Sequence, residues 1–236
     1  AVTSAHFNNM QLLTDSMWHI YPTRGINTVD ISQELNEEIL KQLKMDDIPL
    51  PLGCDRMVGY AWGYYEGAPV PESPAVDFII KEAMKVRLPA KLDILILGPV
   101  TNIAAAVLKK PEIAEKIRVY ALTMRYNPDL NAWNKNTFNA RNDINGLDVL
   151  LNTQKLEMYI IPGNVSSRMV FDRKQTLKRL ERYDHPLSAM LARRWDEVSA
   201  GDTWIMWDVA LVEAYLNPDL AVIETLEGPP ENGFRP

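Results

Sequence analysis

The feature that most constrains the fold is a buried-strand pattern that breaks directly into a helix. Residues 92–97 form an apolar run, and residues 98–102, Gly-Pro-Val-Thr-Asn, follow it and open a helical pattern. A short apolar run that ends at Gly and Pro before a helix is typical of a parallel sheet in an α/β protein. Such sheets bind ligands at the carboxyl ends of their strands, so we expect the functional residues in the loops there.

The alternation of strands and helices continues along the chain. Apolar runs at residues 92–97, 117–123 and 157–161 are separated by helical patterns at residues 101–109 and 141–152. This spacing is typical of βαβ units with right-handed crossovers. We therefore predict an α/β fold with a mostly parallel central sheet and helices on both faces, in which strands 92–97 and 117–123 are adjacent interior strands.

Capping residues and periodicity predict the remaining elements. Ser32 can cap a helix over residues 33–43, and Ser73 can cap one over residues 74–86. Further helices are predicted at residues 173–183, 186–198 and 205–216, and short strands at residues 1–5, 48–52 and 220–225. At 236 residues the chain is long enough to bury one large core, so we predict a single domain over residues 1–236.

Composition excludes several classes of partner. A net charge of −6 without a basic face argues against nucleic acid. No apolar run approaches the ~20 residues that span a bilayer, so we expect no membrane partner. One cysteine and three histidines exclude an intramolecular disulfide and disfavour a multi-histidine metal centre. The compartment stays open, because cytoplasmic, periplasmic and secreted proteins can all have this composition.

The polar residues that remain for chemistry are amides and carboxylates. The sequence has no P-loop, no dinucleotide-binding glycine motif and no nucleophile elbow. Side chains of the remaining set can bind sugar hydroxyls or a hard cation such as Ca²⁺, although Asn-rich loops are more often turns. The set comprises Asn8, Asn9, Asn131, Asn134, Asn136, Asn139, Asn142, Asp143 and Asp208.

Five segments, in order and spacing, resemble the inosine/uridine-preferring nucleoside hydrolase family. The family's motifs are G-V-T-T…G-N, G-x-L-T-N, a proline-led segment before the next strand, E-F-N-x-x-x-D, and H-D. Their counterparts here are Ala1-Val2-Thr3-Ser4 with Asn8, residues 97–102, Pro111-Glu112-Ile113 with strand 117–122, Phe138-Asn139-Ala140-Arg141-Asn142-Asp143, and Trp207-Asp208. The resemblance implies a Rossmann-like core in a single domain over residues 1–236 that lacks the family's first strand and Asp-rich loop.

The resemblance also implies roles for individual residues. The family binds one Ca²⁺, whose ligands correspond here to the Asp208 carboxylate and the Leu97 carbonyl. The Asn residues that hold ribose hydroxyls correspond to Asn8, Asn131 and Asn139. The implied reaction is hydrolysis of the N-glycosidic bond of a ribonucleoside or related N-riboside by a metal-activated water, in a protein that we expect to form homo-oligomers.

The departures from the family pattern concern the substrate and the metal. Thr137 stands where the family has Glu, and Trp207 replaces the His that helps the base to leave; both are assigned here to substrate binding. Trp207 can equally be a half-buried aromatic at a helix start, and Asp208 can be a carboxylate that the helix dipole stabilises at the N-terminus of the helix. The D-x-D-x-x-x-D-D motif, which supplies the catalytic base, has no counterpart, so no catalytic residue is assigned. Asp208 and Leu97 are too few to hold Ca²⁺.

Two functional hypotheses follow. The first is a hydrolase of N-ribosides, favoured by Asp208 and the Asn set. The second is a non-catalytic relative that binds ribose or a nucleoside without a metal, favoured by Trp207 and Thr137. An Asp-x-Asp cluster upstream of Ala1 would distinguish the two.

Overall fold

The computed structural model describes residues 1–7, 27–60 and 62–229, and the structural statements below concern these residues. The helices are α1 Thr28–Gln42, α2 Pro74–Lys85, α3 Thr101–Lys109, α4 Phe138–Asn142, α5 Ile144–Asn152, α6 Gly163–Ser166, α7 Arg173–Leu180, α8 Pro186–Glu197 and α9 Trp207–Leu216. The strands are β1 Leu92–Ile96, β2 Ile117–Leu122, β3 Arg125–Asn127, β4 Ala132–Asn134, β5 Glu157–Ile161, β6 Val170–Asp172 and β7 Thr203–Ile205. The architecture is α/β, as predicted.

The central sheet has the strand order β1-β2-β5, and both pairings are parallel. Leu92 pairs with Ile117, and Arg118 pairs with Glu157, so the prediction of adjacent parallel strands is confirmed. β2 is the interior strand. In the described part of the chain β1 has a strand on one side only, so its predicted interior position stays a prediction. Four of its five residues are only half-buried, because no described strand covers that edge.

Helices cover both faces of the sheet. On one face α2, α3 and α5 form the main core, into which Val119 and Ala121 of β2 point. On the other face α9 packs against β2, and its Tyr215 ring meets the Tyr120 ring edge-on at 5.0 Å. None of the helices in the described ranges has the length and apolar character needed to cross a membrane. The two-sided cover explains the near-continuous apolar character of β2.

Helix starts agree with the sequence prediction at α2 and disagree at α1. Ser73 Oγ accepts the Val76 amide at 3.3 Å, which confirms the predicted cap. Helix α1 begins at Thr28, five residues before the predicted start at residue 33. Ser32 does not cap it, because Ser32 Oγ accepts the Ala5 amide at 3.2 Å. The hydroxyl that suggested a helix start instead fixes the amino-terminal segment to the helix.

Three predicted short strands are absent. Residues 1–5 and 48–52 have no ladder; they share the hydrogen bond from the Val2 amide to the Pro49 carbonyl at 3.0 Å. Residues 220–225 also lack a strand, and a single 3₁₀ turn, Pro218–Leu220, precedes them. The predicted helix over residues 141–152 is divided at Asp143 into α4 and α5, because the Asp143 side chain caps α5 instead of continuing the helix.

We expect Ser73→Ala to lower the free energy of unfolding by about 1 kcal/mol, because one amide of the first turn of α2 loses its acceptor. Urea unfolding followed by circular dichroism measures the difference. Ser188→Ala is a matched control inside α8, where alanine should leave stability unchanged or raise it slightly. An equal loss in both variants would contradict a capping role for Ser73.

Candidate functional site

A groove of about 1470 Å³ runs along β1, on the side where no described strand pairs with it, and past the carboxyl ends of β1 and β2. Residues 1–7 and parts of α1 and α2 line one side of it. Residues 204–209, which include the start of α9, line the other side, and the loop at residues 122–125 lies between. The part of the groove at the carboxyl ends of β1 and β2 is where an α/β fold binds its ligands, whereas the rest follows the side of β1.

Five of the sequence-predicted site residues line this groove. They are Leu97, Thr137, Asn139, Trp207 and Asp208. Asn131 does not: it lies in the turn between β3 and β4, where its Oδ1 accepts the Tyr126 hydroxyl at 2.7 Å. Asn131 is exposed and has a φ of +46°, which fits the turn role that Asn often has. Asn8 lies outside the described residues.

Asn139 joins the two strand ends at the groove. Its Nδ2 donates to the Leu97 carbonyl at 3.0 Å and to the Leu122 carbonyl at 2.8 Å. Both amide hydrogens are therefore used, and no described residue donates to Oδ1. A half-buried acceptor of fixed orientation is suited to receive a hydroxyl from a ligand.

Thr137 fixes the backbone beside the groove. Its Oγ1 accepts the Met124 amide at 3.2 Å, and Met124 has a φ of +53°. The Met124 carbonyl in turn accepts the Gly163 amide at 2.7 Å. These contacts hold the chain after β2 in a left-handed conformation that a buried Met rarely adopts. The Thr137 hydroxyl still has a proton to donate to a ligand.

Asp208 and Trp207 occupy the first turn of α9. Solvent reaches Asp208, yet the surrounding protein removes enough hydration to raise the pKa of its carboxyl to about 6. Within the described ranges it has no cationic partner at salt-bridge distance. The guanidinium carbon of Arg125 lies 5.8 Å from the centroid of the Trp207 ring. The end of the groove therefore combines a carboxylate, an aromatic face and a guanidinium.

A buried hydrogen-bonded chain lies behind the groove. Asp143 accepts the Thr101 hydroxyl at 2.6 Å, the Gly146 amide at 2.7 Å and the Val58 amide at 3.2 Å. Because Thr101 uses its proton on Asp143, its oxygen must accept from His6 Nε2 at 2.9 Å. His6 Nε2 therefore carries the ring proton.

Burial shifts the pKa values of His6 and Asp143, the two ends of this series of hydrogen bonds. It lowers the pKa of His6 to about 4, so the ring is neutral at pH 7. It raises the pKa of Asp143 to about 6, although three hydrogen bonds oppose the shift. His6 Nδ1 is buried without a partner among the residues described. The chain connects the amino-terminal segment, α3 and α5 behind the groove.

The described residues do not fit a calcium site on their own. Ca²⁺ takes about six to eight oxygen ligands. Asp208 supplies one carboxylate, and the Leu97 carbonyl already accepts from Asn139. Across residues 1–7, 27–60 and 62–229 no cluster of three or more His, Cys, Asp or Glu side chains could hold a metal. Asp208 and the Leu97 carbonyl alone therefore cannot hold Ca²⁺.

No role was predicted for Arg125 or His6, and Asp143 was predicted only as one of the wider set of amides and carboxylates. The place of Arg125 beside Trp207 depends on the packing of α6 against α9. Asp143 ends the segment that resembles E-F-N-x-x-x-D, and its position directly before an apolar helix predicts a helix cap. Nothing in the sequence connects His6 with Thr101, which is 95 residues away.

Comparisons with known proteins agree with this fold. Similar folds occur in a plant nucleoside hydrolase (TM-score 0.62, 21% identity, covering 82% of this chain and 68% of that one) and in an inosine-guanosine nucleoside hydrolase (0.62, 18%, 81% and 67%). A purine-preferring ribonucleoside hydrolase from Gardnerella vaginalis is also similar (0.57, 22%, 78% and 66%). This chain thus spans about two thirds of the length of each of these structures, and such identities establish the fold alone.

No curated protein sequence is similar enough to count as a match. The family model described as inosine-uridine preferring nucleoside hydrolase, however, matches residues 19–233, which is most of the chain. The parallel sheet and the groove at its carboxyl edge are consistent with that match. The chain belongs to the inosine-uridine preferring nucleoside hydrolase family.

Proposed function

We propose that the protein hydrolyses the N-glycosidic bond of a ribonucleoside bound in the groove along β1. The observation that carries the proposal is Asn139, whose amide group is fixed by the carbonyls of Leu97 and Leu122 and keeps Oδ1 free. Family membership supports a hydrolase of N-ribosides. The family is in general metal-dependent. The roles given below to this chain's residues do not depend on which metal is bound.

The ribose is placed at the carboxyl ends of β1 and β2. Asn139 Oδ1 accepts one ribose hydroxyl, and the Thr137 hydroxyl donates to another. An amide that is already fixed by two hydrogen bonds loses little entropy when the sugar binds. The contacts strengthen as the ribose flattens towards an oxocarbenium ion, so they favour the transition state over the bound substrate.

Asp208 supplies negative charge to the same reaction. As the bond from C1′ to the base breaks, its electron pair goes to the base nitrogen and positive charge develops on the ribose. A water then forms the new bond to C1′ and loses a proton to solvent, while the base nitrogen takes up a proton, so that free ribose and free base result. With a pKa of about 6, Asp208 is mostly ionised at pH 7. A carboxylate that is partly desolvated and has no described cationic partner stabilises this developing charge more strongly than a hydrated one.

Chromatographic detection of free ribose after incubation with inosine, uridine or adenosine tests the proposal. We expect ribose release that falls in Asp208→Asn, because the substitution removes the charge and keeps the shape. Parallel reactions with calcium chloride and with a chelator show whether release needs a metal. Wild-type protein that neither binds nor cleaves any of the three nucleosides would contradict the proposal.

A binding protein without catalysis is the second candidate. Trp207 in place of the family's His and Thr137 in place of its Glu favour it, and both line the groove. Calorimetry separates the two, because a binding protein would bind nucleosides and release no ribose under either metal condition. Assembly into homo-oligomers stays a prediction for either candidate.

A further inference from the structure

Two arginines of the described chain, Arg125 and Arg141, line the groove. None of the ion pairs formed by the described residues includes either of them. Asp208 also lines the groove, but burial alone accounts for its raised pKa, so no guanidinium group compensates its charge. In a chain with a net charge of −6, two arginines without a described carboxylate partner at one groove are typical of a site for an anion.

Contacts with Gly163 and Trp207 hold Arg125 in place. The carbonyl of the preceding residue, Met124, accepts the Gly163 amide at 2.7 Å, and a methyl group at Gly163 would meet Arg125 Cγ at 3.2 Å. The guanidinium carbon lies 5.8 Å from the centroid of the Trp207 ring, within the range of a cation–π contact. Such a contact uses the face of the guanidinium group and none of its N–H donors, which stay available to a ligand.

Arg141 is more shielded from water than Arg125 and is also incompletely paired. Its Nη1 donates to Asn136 Oδ1 at 3.3 Å, and its Nε is buried without a partner among the residues described. One neutral acceptor compensates little of the cost of removing a guanidinium charge from water. An anion at the remaining N–H groups of Arg141 would supply the missing compensation.

Thr137 connects the backbone segments that carry the two arginines. Its Oγ1 accepts the Met124 amide at 3.2 Å, one residue before Arg125, and its carbonyl accepts the Arg141 amide at 2.9 Å. The family pattern has Glu at this position, and a carboxylate there would repel an anion. Thr137 is neutral and has a hydroxyl proton to donate. Between the two arginines the chain therefore has a hydrogen-bond donor in place of a negative charge.

We propose that Arg125 and Arg141 bind a phosphate monoester on the ribose, so that the groove takes ribonucleoside monophosphates in preference to uncharged nucleosides. The inference rests on the proposed function, because it keeps the ribose at Asn139 and Thr137. Guanidinium groups bind phosphate oxygens through two parallel N–H donors, which gives strong hydrogen bonds between charged groups. A phosphate on C5′ leaves the 2′- and 3′-hydroxyls free for Asn139, whereas a 3′-phosphate removes one of them. We therefore place the phosphate on C5′.

Calorimetric binding of inosine, inosine 5′-monophosphate and inosine 3′-monophosphate tests the proposal. We expect the wild-type protein to bind the 5′-monophosphate about tenfold or more tightly than inosine, because hydrogen bonds between charged groups contribute about 1.5–3 kcal/mol. The 3′-monophosphate should bind less tightly than the 5′-monophosphate. The preference should decrease at high salt, which screens the attraction between charges. If the ligands are cleaved during titration, kcat/KM ratios replace affinities.

Variants of the two arginines test their part in this preference. Arg125→Met and Arg141→Met should each reduce the ratio of 5′-monophosphate affinity to inosine affinity, and the double variant should bring it to within about twofold of one. Lysine at either position should restore part of the ratio, because it keeps the charge and loses the fork. Arg182→Met removes an exposed arginine outside the groove and should leave the ratio unchanged.

A variant of Thr137 tests the effect of charge between the arginines. Thr137→Glu introduces the carboxylate of the family pattern, which repels a phosphate and can pair with the arginines. We expect it to reverse the preference, so that inosine binds more tightly than the 5′-monophosphate. A 5′-monophosphate preference that Thr137→Glu leaves intact would contradict a phosphate site beside this residue.

Inorganic phosphate distinguishes a phosphate carried by the ribose from a free anion. At millimolar concentration it should weaken binding of the 5′-monophosphate, because both bind the same arginines, and it should not strengthen binding of inosine. Tighter binding of inosine in the presence of inorganic phosphate would show that the arginines bind a separate anion, and the proposed substrate class would be wrong.

The outcomes distinguish this inference from the proposed function. Equal affinity of the wild-type protein for inosine and its 5′-monophosphate, or a preference that survives the double arginine variant, overturns the phosphate site while nucleoside binding stands. Absence of binding to every nucleoside and nucleotide overturns the proposed function and the inference together.

Discussion

Replacement of Asp143 with alanine is expected to lower the free energy of unfolding by about 3 kcal/mol, because each buried donor left unpaired costs about 1–3 kcal/mol. Asp143 accepts the Val58 amide, the Gly146 amide and the Thr101 hydroxyl, and it is fully buried. The cost of burying the carboxylate offsets part of the loss.

Denaturant unfolding measures this loss, with Asp129→Ala as the control. Asp129 is exposed in the turn between β3 and β4, so its replacement should change stability by less than about 0.5 kcal/mol. Gly146 sits close to the same carboxylate: a methyl group there would lie 2.6 Å from Asp143 Oδ2. Similar losses for Asp143→Ala and Asp129→Ala would show that the buried chain contributes little to stability.

The pH dependence of stability gives a second measure of Asp143. The pKa of its carboxyl rises from 3.8 to about 6 on folding, so the folded protein binds the proton more tightly. Its favourable contribution is therefore complete below about pH 4 and is lost as the pH rises through about 6, by about 3 kcal/mol. In Asp143→Asn this component should be missing.

The contribution of His6 to the pH dependence of stability has the opposite sign. Burial lowers its pKa from 6.5 to about 4, so its contribution is present above pH 6.5 and is lost as the pH falls through about 4. The component due to Asp143 is therefore the difference between the wild type and Asp143→Asn at each pH. If the two stability curves stayed parallel from pH 4 to 7, Asp143 would not titrate as this burial implies.

Local patterns predicted the elements whose causes are local. The runs that became β1, β2 and β5 are buried or half-buried in the sheet, and Ser73 caps α2 through an amide three residues away. The start of α1 was misjudged because Thr28 and Ser32 hydroxyls accept amides of Phe7 and Ala5. Hydrogen bonds between a hydroxyl and a backbone amide far away in the sequence cannot be predicted from hydrophobic periodicity.

The positions of the candidate site residues were predictable only in part. Motif resemblance predicted Asn139, Thr137 and Trp207 as candidates, and all three line the groove, because each follows a strand of the sheet or begins a helix beside it. Asn131 has the same chemistry, yet its hydroxyl partner Tyr126 fixes it in a hairpin turn. Arg125 meets Trp207 only through helix packing, which no sequence spacing encodes.

Replacement of Asn139 with alanine is expected to lower kcat/KM for ribosyl-bond cleavage by about a hundredfold, with more of the loss in kcat than in KM. The substitution removes the free Oδ1 acceptor and the two hydrogen bonds that orient it. Because Oδ1 is already oriented before the substrate binds, its hydrogen bond to the ribose hydroxyl is strongest in the transition state, where that contact shortens. Steady-state kinetics with inosine measures both parameters.

A structural role for Asn139 must be separated from a contact with the ribose, because its Nδ2 also ties β1 to β2. Deoxyinosines that lack the 2′-, 3′- or 5′-hydroxyl provide the separation. One of these analogues lacks the hydroxyl that donates to Oδ1. With that analogue Asn139→Ala should lower kcat/KM by less than about twofold, as in a double-mutant cycle. Asn152→Ala, an exposed amide on α5, should leave kcat and KM unchanged for every substrate. A loss of equal size for all three analogues would mean that Asn139 only braces the strand ends, and the ribose site would then have to lie elsewhere in the groove.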